Sequence, residues 1–253
     1  MTTNDLDRWF SGVLSPERFE GPDPSLNGIQ VDNDGSDVRR VAFAVDACLE
    51  TVERAIQAGA GLLFVHHGLF WGRSLALRGR HYRIVKRMLE GNLALYASHL
   101  PLDAHAECGN NAGIAERLGL EGLEPFGEWH GATIGFRGRF PEPLSLDALL
   151  GRLFPDGKKP LHVLPFGPDK IRTLAVVSGG GADETEQAIR LGLDCYVTGE
   201  IGHQQYHAAL ESGITVIAGG HYQTETVGPR LIAERLARET GIETLFIDVP
   251  TGL

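Results

Sequence analysis

The feature that most constrains this chain is a strand-helix-strand-helix-strand succession that occurs twice. In the first, "VRRVAFAVD" (38–46) reads as a strand and "CLETVERAIQAGA" (48–60) as an amphipathic helix closed by Gly. "LLFVHH" (62–67) is a second strand, "RHYRIVKRMLEGN" (80–92) a second helix, and "LALYASHLPLD" (93–103) a strand running into a loop. The second succession is "IRTLAVVSGGGAD" (171–183), "ETEQAIRLG" (184–192), "LDCYVTGE" (193–200), "HQQYHAALESG" (203–213) and "ITVIAGGHYQTE" (214–225). Short apolar runs alternating with helical patterns predict an α/β fold with largely parallel sheets. The halves also share wording, "ETVERAIQAG" against "ETEQAIRLG". A duplicated βαβαβ unit is the simplest account, giving two interlinked α/β lobes.

Between the repeats, 123–170 is richer in Pro and Gly and reads as a short strand, a helix around 145–153 and another strand. The expected organisation is a first α/β unit over 1–122, a connecting lobe over 123–170, and a second α/β unit over 171–253 that packs with the first to form a metal cleft. After the second repeat, "VGPRLIAERLARETG" (227–241) reads as an amphipathic helix with Pro near its start, and "IETLFIDVP" as a last strand.

In open parallel sheets ligands bind beyond the carboxyl ends of the strands. The repeat puts chemically active residues there. The first unit offers His66 and His67 after its second strand and Asp103 after its third; the second offers Glu200, then His221 with Glu225. Side chains alternate along a strand, so His66 and His67 converge only where the backbone leaves strand geometry, which Gly68 permits. His221 and Glu225 are four apart, so one helical turn sets both on one face. Three imidazoles and two carboxylates form a mixed nitrogen and oxygen set suited to Zn, Fe, Mn or Co, and able to hold two divalent ions.

His99 and His105 flank the Asp103 loop, where a residue that orients a ligand or donates a proton would stand. Glu200 could act as general acid or base, or cap the helix that follows. His81, His130, His162 and His207 read as surface or capping residues, and Asn110 and Asn111 as caps. "SGGGAD" (178–183) is either an anion cradle at a helix start or a simple tight turn.

Composition narrows the function classes. A net charge of −10 argues against nucleic acid as a partner, since that binding rests on basic surface. No apolar run approaches the roughly 20 residues that span a bilayer, which argues against a membrane. "MTTNDLDRWF" lacks the basic start and apolar core of a secretory signal, and the three cysteines form no C-x-x-C pair. The expected location is the cytoplasm.

"NGIQV" (27–31), "VHHGLFW" (65–71), "HLPLDAHAECGNNAGIAERLG" (99–119), "VVSGGGAD", "DCYVTGE" and "AGGHYQTE", in this order, resemble the Nif-three-like family of dinuclear-metal proteins. Its members often carry the name GTP cyclohydrolase 1 type 2 homolog. The resemblance spans nearly the entire chain. It implies a homohexamer, a trimer of dimers around a central cavity, with two divalent metal ions per subunit held by His66, His67, Asp103, His221 and Glu225. Longer members insert an extra domain for which 123–170 leaves no room. The expected function is a metal-dependent hydrolase acting on a small anionic or nucleotide-like substrate, with Glu200 or His99 moving protons. The rival expectation is a ring-shaped metal-binding scaffold or regulatory protein without turnover.

Overall fold

The computed structural model describes residues 1–253. In chain order its helices and strands are α1 (Thr3–Leu14), β1 (Gly28–Val31), β2 (Arg40–Asp46), α2 (Leu49–Gln57), β3 (Leu62–His67), α3 (Gly79–Glu90), β4 (Ala94–Ala97) and α4 (Leu100–Asp103). Then follow α5 (Asn110–Leu118), β5 (Glu121–Trp129), β6 (Ala132–Leu144), α6 (Leu146–Leu153), β7 (His162–Pro165) and β8 (Ile171–Val177). The remainder is α7 (Thr185–Arg190), β9 (Cys195–Thr198), α8 (Gln205–Ser212), β10 (Thr215–Ala218), α9 (His221–Glu225), α10 (Val227–Thr240) and β11 (Glu243–Phe246). No helix is long and apolar enough to cross a membrane.

The chain forms two compact units. Unit one comprises 1–102 with 228–249, and unit two 103–227 with 250–253. Each contains one sheet, in the order β1-β4-β3-β2-β11 and β5-β6-β8-β9-β10-β7 respectively. Both repeats are present as consecutive parallel strands, β2-β3-β4 in one sheet and β8-β9-β10 in the other. The α/β class therefore stands, but the sheets are more mixed than the alternating pattern predicts. β1 runs antiparallel to β4. In unit two β5, β6 and β7 join the sheet through antiparallel pairings. The Pro- and Gly-rich stretch thus supplies a hairpin, β5-β6, whose 13-residue second strand is far longer than the short strand its composition suggests. Pro141 and Pro143 fall in the irregular stretch where the β6-β8 register shifts, between Arg139 and Leu144.

The central strands of unit one read as apolar runs because both faces are covered. On one face Ala42, Ala44, Leu63, Val65 and Leu95 pack with Val52 and Ala55 of α2 and Ile84 and Met88 of α3. On the other, the parallel register aligns Phe43, Phe64 and Tyr96 in one rung. Phe10 of α1 seats on this rung, its ring 6.3, 4.8 and 4.7 Å from the three. α1 is held at its start by a reciprocal cap in which the Asp5 N–H donates to Thr2 Oγ1 and the Thr2 N–H to Asp5 Oδ2.

Unit two buries one carboxyl group with no place in the candidate chemistry of the strand ends. Glu184, at the start of α7, is buried, and that burial raises its pKa above the ordinary 4.5. In an unfolded chain this group ionises first as pH rises. Folding stability therefore declines from about pH 4.5 upward until the raised folded pKa is passed, and stays lower above it.

Two outcomes are expected. Phe10→Ala, which empties the space over the aromatic rung, costs about 3–5 kcal/mol in urea unfolding. Glu184→Gln flattens the fall of stability with pH above 4.5 and makes the protein no less stable at pH 7, as read from melting temperature against pH.

Candidate functional site

In both sheets the site residues stand at the carboxyl ends of the parallel strands. In unit one the last rung of β2 and β3 pairs Asp46 with His67. The pleat assigns His66 to the face of Phe64 and His67 to the face of Val65, yet the two ring centroids are 4.6 Å apart. The rings converge because they lie at the strand end, where both can lean past the last rung.

Gly68 has a role different from the one expected of it. A Cβ there would fall 2.4 Å from the Gln30 carboxamide. Gln30 Oε1 accepts from the Leu69 and Phe70 N–H groups at 2.7 and 3.2 Å, and its Nε2 donates to the carbonyls of Leu26 and Phe70. Glycine leaves room for this clamp, which fixes the "GLFW" turn behind the histidines.

His66, His67 and His99 are each oriented through Nδ1. His66, fully buried, donates to the Ser98 carbonyl at 3.0 Å. His67 bonds Asp46 Oδ1 at 2.9 Å, and His99 bonds Asp23 Oδ1 at 2.8 Å. Carbonyl and carboxylate oxygens only accept, so Nδ1 carries the hydrogen and the neutral ring keeps its lone pair on Nε2. This is the pairing that second-shell groups impose on metal-ligating histidines. One nitrogen from each of His66, His67 and His99 lies within 4.8 Å of the others. His99, expected to move protons, is therefore as near to its neighbours as a ligand would be.

Asp23 is itself built in. Burial works to raise its pKa, but hydrogen bonds from His99, Asn27 and the Ser25 N–H hold it below the usual carboxylate range. It also accepts the Leu100 N–H at 3.0 Å, while Asn27 Oδ1 accepts the His99 N–H at 2.8 Å.

In unit two the loops after β8, β9 and β10 are tied together, the Gly179 carbonyl accepting from the Gly199 and Glu200 N–H groups and Gly199 from Gly220. The i to i+4 spacing of His221 and Glu225 is realised as α9, with Nε2 and Oε1 3.1 Å apart. His221 Nδ1 meets Glu200 Oε1 at 2.5 Å. Burial disfavours the imidazolium, but the hydrogen bond and charge of Glu225, then those of Glu200, outweigh it and raise the pKa to about 9. Glu225 is only 3 % exposed. A Cβ on Gly179, whose φ is +61°, would lie 2.0 Å from Glu225 Oε1. The glycine-rich turn is thus shaped to fit a carboxylate, and an anion cradled there would meet that charge.

Asp103 is 6 % exposed, and its Oδ1 accepts from Asn110 Nδ2 and Ser178 Oγ, both at 2.9 Å. Asn111 Nδ2 donates to the Ile134 carbonyl and its Oδ1 accepts the Ser178 N–H. Both asparagines are fully buried supports for Asp103 beyond any capping role. His105 turns inward on its own loop, Nδ1 accepting the Glu107 and Cys108 N–H groups. Sequence reading passed over Asp23 and Asp46, and took Ser178 only as the start of the glycine-rich turn, not as a partner of Asp103. Of these Asp46 carried a signal, as the polar end of an apolar strand beside the histidine strand.

Residues 1–252 match the model of the Duf34/NIF3 (NGG1p interacting factor 3) family. The chain belongs to this family. A Treponema pallidum relative named "GTP cyclohydrolase 1 type 2 homolog" is 46 % identical, with all of both chains covered. Among solved structures, the protein ybgI, titled as of unknown function, superimposes with a TM-score of 0.91 at 32 % identity over 100 % of both chains. TTHA1606 from Thermus thermophilus does so with 0.90 at 39 %, again over 100 % of both. The histidine and glutamate groups of this NIF3 chain have the donor chemistry to hold a metal ion.

Gly68→Ala displaces the Gln30 carboxamide from four hydrogen bonds. It is expected to cost about 1–3 kcal/mol in urea unfolding and to loosen the turn carrying Leu69 and Phe70, read as faster amide hydrogen exchange there.

Proposed function

We propose that this NIF3 protein is a metal-dependent hydrolase, with His66, His67, Asp103, His221 and Glu225 as protein ligands of two divalent ions per chain. The observation that carries the reading is the Nδ1 bonding of its histidines: His66 and His67 commit that nitrogen to the Ser98 carbonyl and to Asp46, which turns Nε2 toward ligation, and His221 stands between Glu200 at Nδ1 and Glu225 at Nε2. Asp103 and Glu225 are buried carboxylates whose surroundings are polar rather than apolar, as an anionic ligand requires. Nitrogen and carboxylate donors in this proportion suit Zn, Fe, Mn or Co.

Divalent ions at this site would supply positive charge to a scissile bond and acidify water, bringing its pKa from 15.7 toward roughly 7. The chain's own groups do the remainder. His99, with Nδ1 on Asp23 and the lone pair on Nε2, is arranged to accept a proton and return it to a leaving group. Glu200 holds His221 in orientation and, with its side chain about half exposed, can exchange protons with water. The substrate class is a small anion, nucleotide-like in size. The assembly in this reading is a homohexamer, a trimer of dimers, working in the cytoplasm.

The rival reading, a ring-shaped metal-binding scaffold without turnover, makes opposite demands. Elemental analysis of freshly purified protein is expected to give two divalent ions per chain, falling by at least one in His67→Ala and in Glu225→Ala. Chelation should abolish hydrolysis of phosphoesters, nucleotides or cyclic amides while light scattering still reports the hexamer. Metal retained in both variants, or a ring that dissociates on chelation with no turnover in the loaded form, would overturn the hydrolase reading.

A further inference from the structure

From Arg54 to Leu89 the chain carries seven Lys or Arg and no Asp or Glu, although its net charge is −10. This stretch contains β3, the turn after it and α3 up to, but not including, its last residue, Glu90. Arg73, Arg80 and His81 from it line a cleft of about 430 Å³ in unit one, whose other walls include Asp46, His67 and Trp71. A cleft of this size takes a small molecule. It borders the candidate metal ligand His67 directly.

Arg73 and Arg80 are exposed, and neither makes an ion pair or a side-chain hydrogen bond. Some other arginines are paired with carboxylates, among them Arg40 with Glu243, Arg54 with Glu50, Arg137 with Glu124 and Arg235 with Glu239. In a chain where Asp and Glu outnumber Lys and Arg by 33 to 23, this cleft carries two unmatched guanidinium groups against one carboxylate. The local arrangement is also electrostatically unfavourable without an anion. The first turn of α3 has no acidic residue and its start has no side-chain cap, while Arg80 and His81 put basic groups at the positive end of the helix dipole. Asp46, the one carboxylate in the cleft wall, is committed to His67.

The aromatic wall is held in place. The Trp71 indole N–H donates to the Gly68 carbonyl at 2.9 Å, and its ring meets His99 edge-on at a centroid distance of 5.0 Å. A fixed indole beside a pair of guanidinium groups suits a ligand with one flat, apolar part and one anionic part.

We propose that this cleft anchors the substrate: Arg73 and Arg80 bind a phosphate monoester, and Trp71 packs against a planar ring, which sets the reacting bond beside His67. The assignment rests on the hydrolase reading for what happens next, but the binding itself is independent of turnover. The phosphate positions the molecule and the ring selects it.

The test is isothermal titration of the full-length protein as purified, metal content measured, with AMP and with adenosine at fixed ionic strength. AMP is expected to bind at least tenfold more tightly than adenosine. Arg73→Ala and Arg80→Ala should each weaken AMP roughly tenfold or more, as loss of a charge-assisted hydrogen bond does, with adenosine binding and metal content unchanged. Arg80→Lys should recover part of the loss. Absence of AMP binding, equal binding of AMP and adenosine, or Arg variants within twofold of the parent would overturn the proposal. So would a single-stranded RNA that binds more tightly than AMP with the same Arg dependence, because the basic stretch would then be a polyanion surface. A protein that carries no metal yet shows Arg-dependent AMP binding would sink the hydrolase reading alone.

Discussion

The hydrogen bond from an imidazole Nδ1 to a fixed oxygen is the interaction on which the candidate site depends. It recurs four times, to the Ser98 carbonyl and to the carboxylates of Asp46, Asp23 and Glu200. Each one removes a rotational freedom that a ligand would otherwise have to freeze, and each chooses the nitrogen that is presented to the site. In unit one the supporting oxygens are themselves fixed: Asp46 closes a parallel rung beside His67, and Asp23 is tied to two backbone N–H groups and to Asn27. The geometry of the histidines is therefore a property of the sheet edge and of the loops that meet there, rather than of the histidines alone.

The two repeats use the same device with different chemistry. In unit one the strand ends deliver imidazoles, and in unit two the corresponding ends deliver carboxylates and His221. Unit two also spends glycine differently. Gly68 makes room for the Gln30 clamp, whereas Gly179 adopts a positive φ and makes room for the Glu225 carboxylate. Membership of the NIF3 family and the close superposition on ybgI and TTHA1606 fix the fold. The chemistry of the site is argued from these donors and their partners.

Much of the architecture was legible because it is local. A run such as Leu62–Val65 ending in His66 and His67 must be a buried strand with a polar end, and the spacing of His221 and Glu225 reads as one turn of helix. The β5-β6 hairpin was harder. Its strands contain Gly135, Gly138, Pro141 and Pro143, residues that ordinarily interrupt a strand, and they are accommodated only because β8 approaches closely at Gly135 and because the register slips at the prolines. Asn110 and Asn111 looked like helix caps for a similar reason: nothing nearby in the chain reveals that Ser178, 67 positions beyond Asn111, will be their neighbour.

By itself the sequence determined the α/β class, the duplicated strand order and the residues rich enough in nitrogen and oxygen donors to hold a cation, since periodicity and side-chain chemistry are written along the chain. Tertiary structure decided which nitrogen His66, His67 and His99 present, what Gly68 and Gly179 make room for, and that Arg73 and Arg80 share a cleft with Trp71. Those facts depend on partners such as Asp23 and His99, 76 positions apart, and only the folded backbone brings such groups within hydrogen-bonding distance.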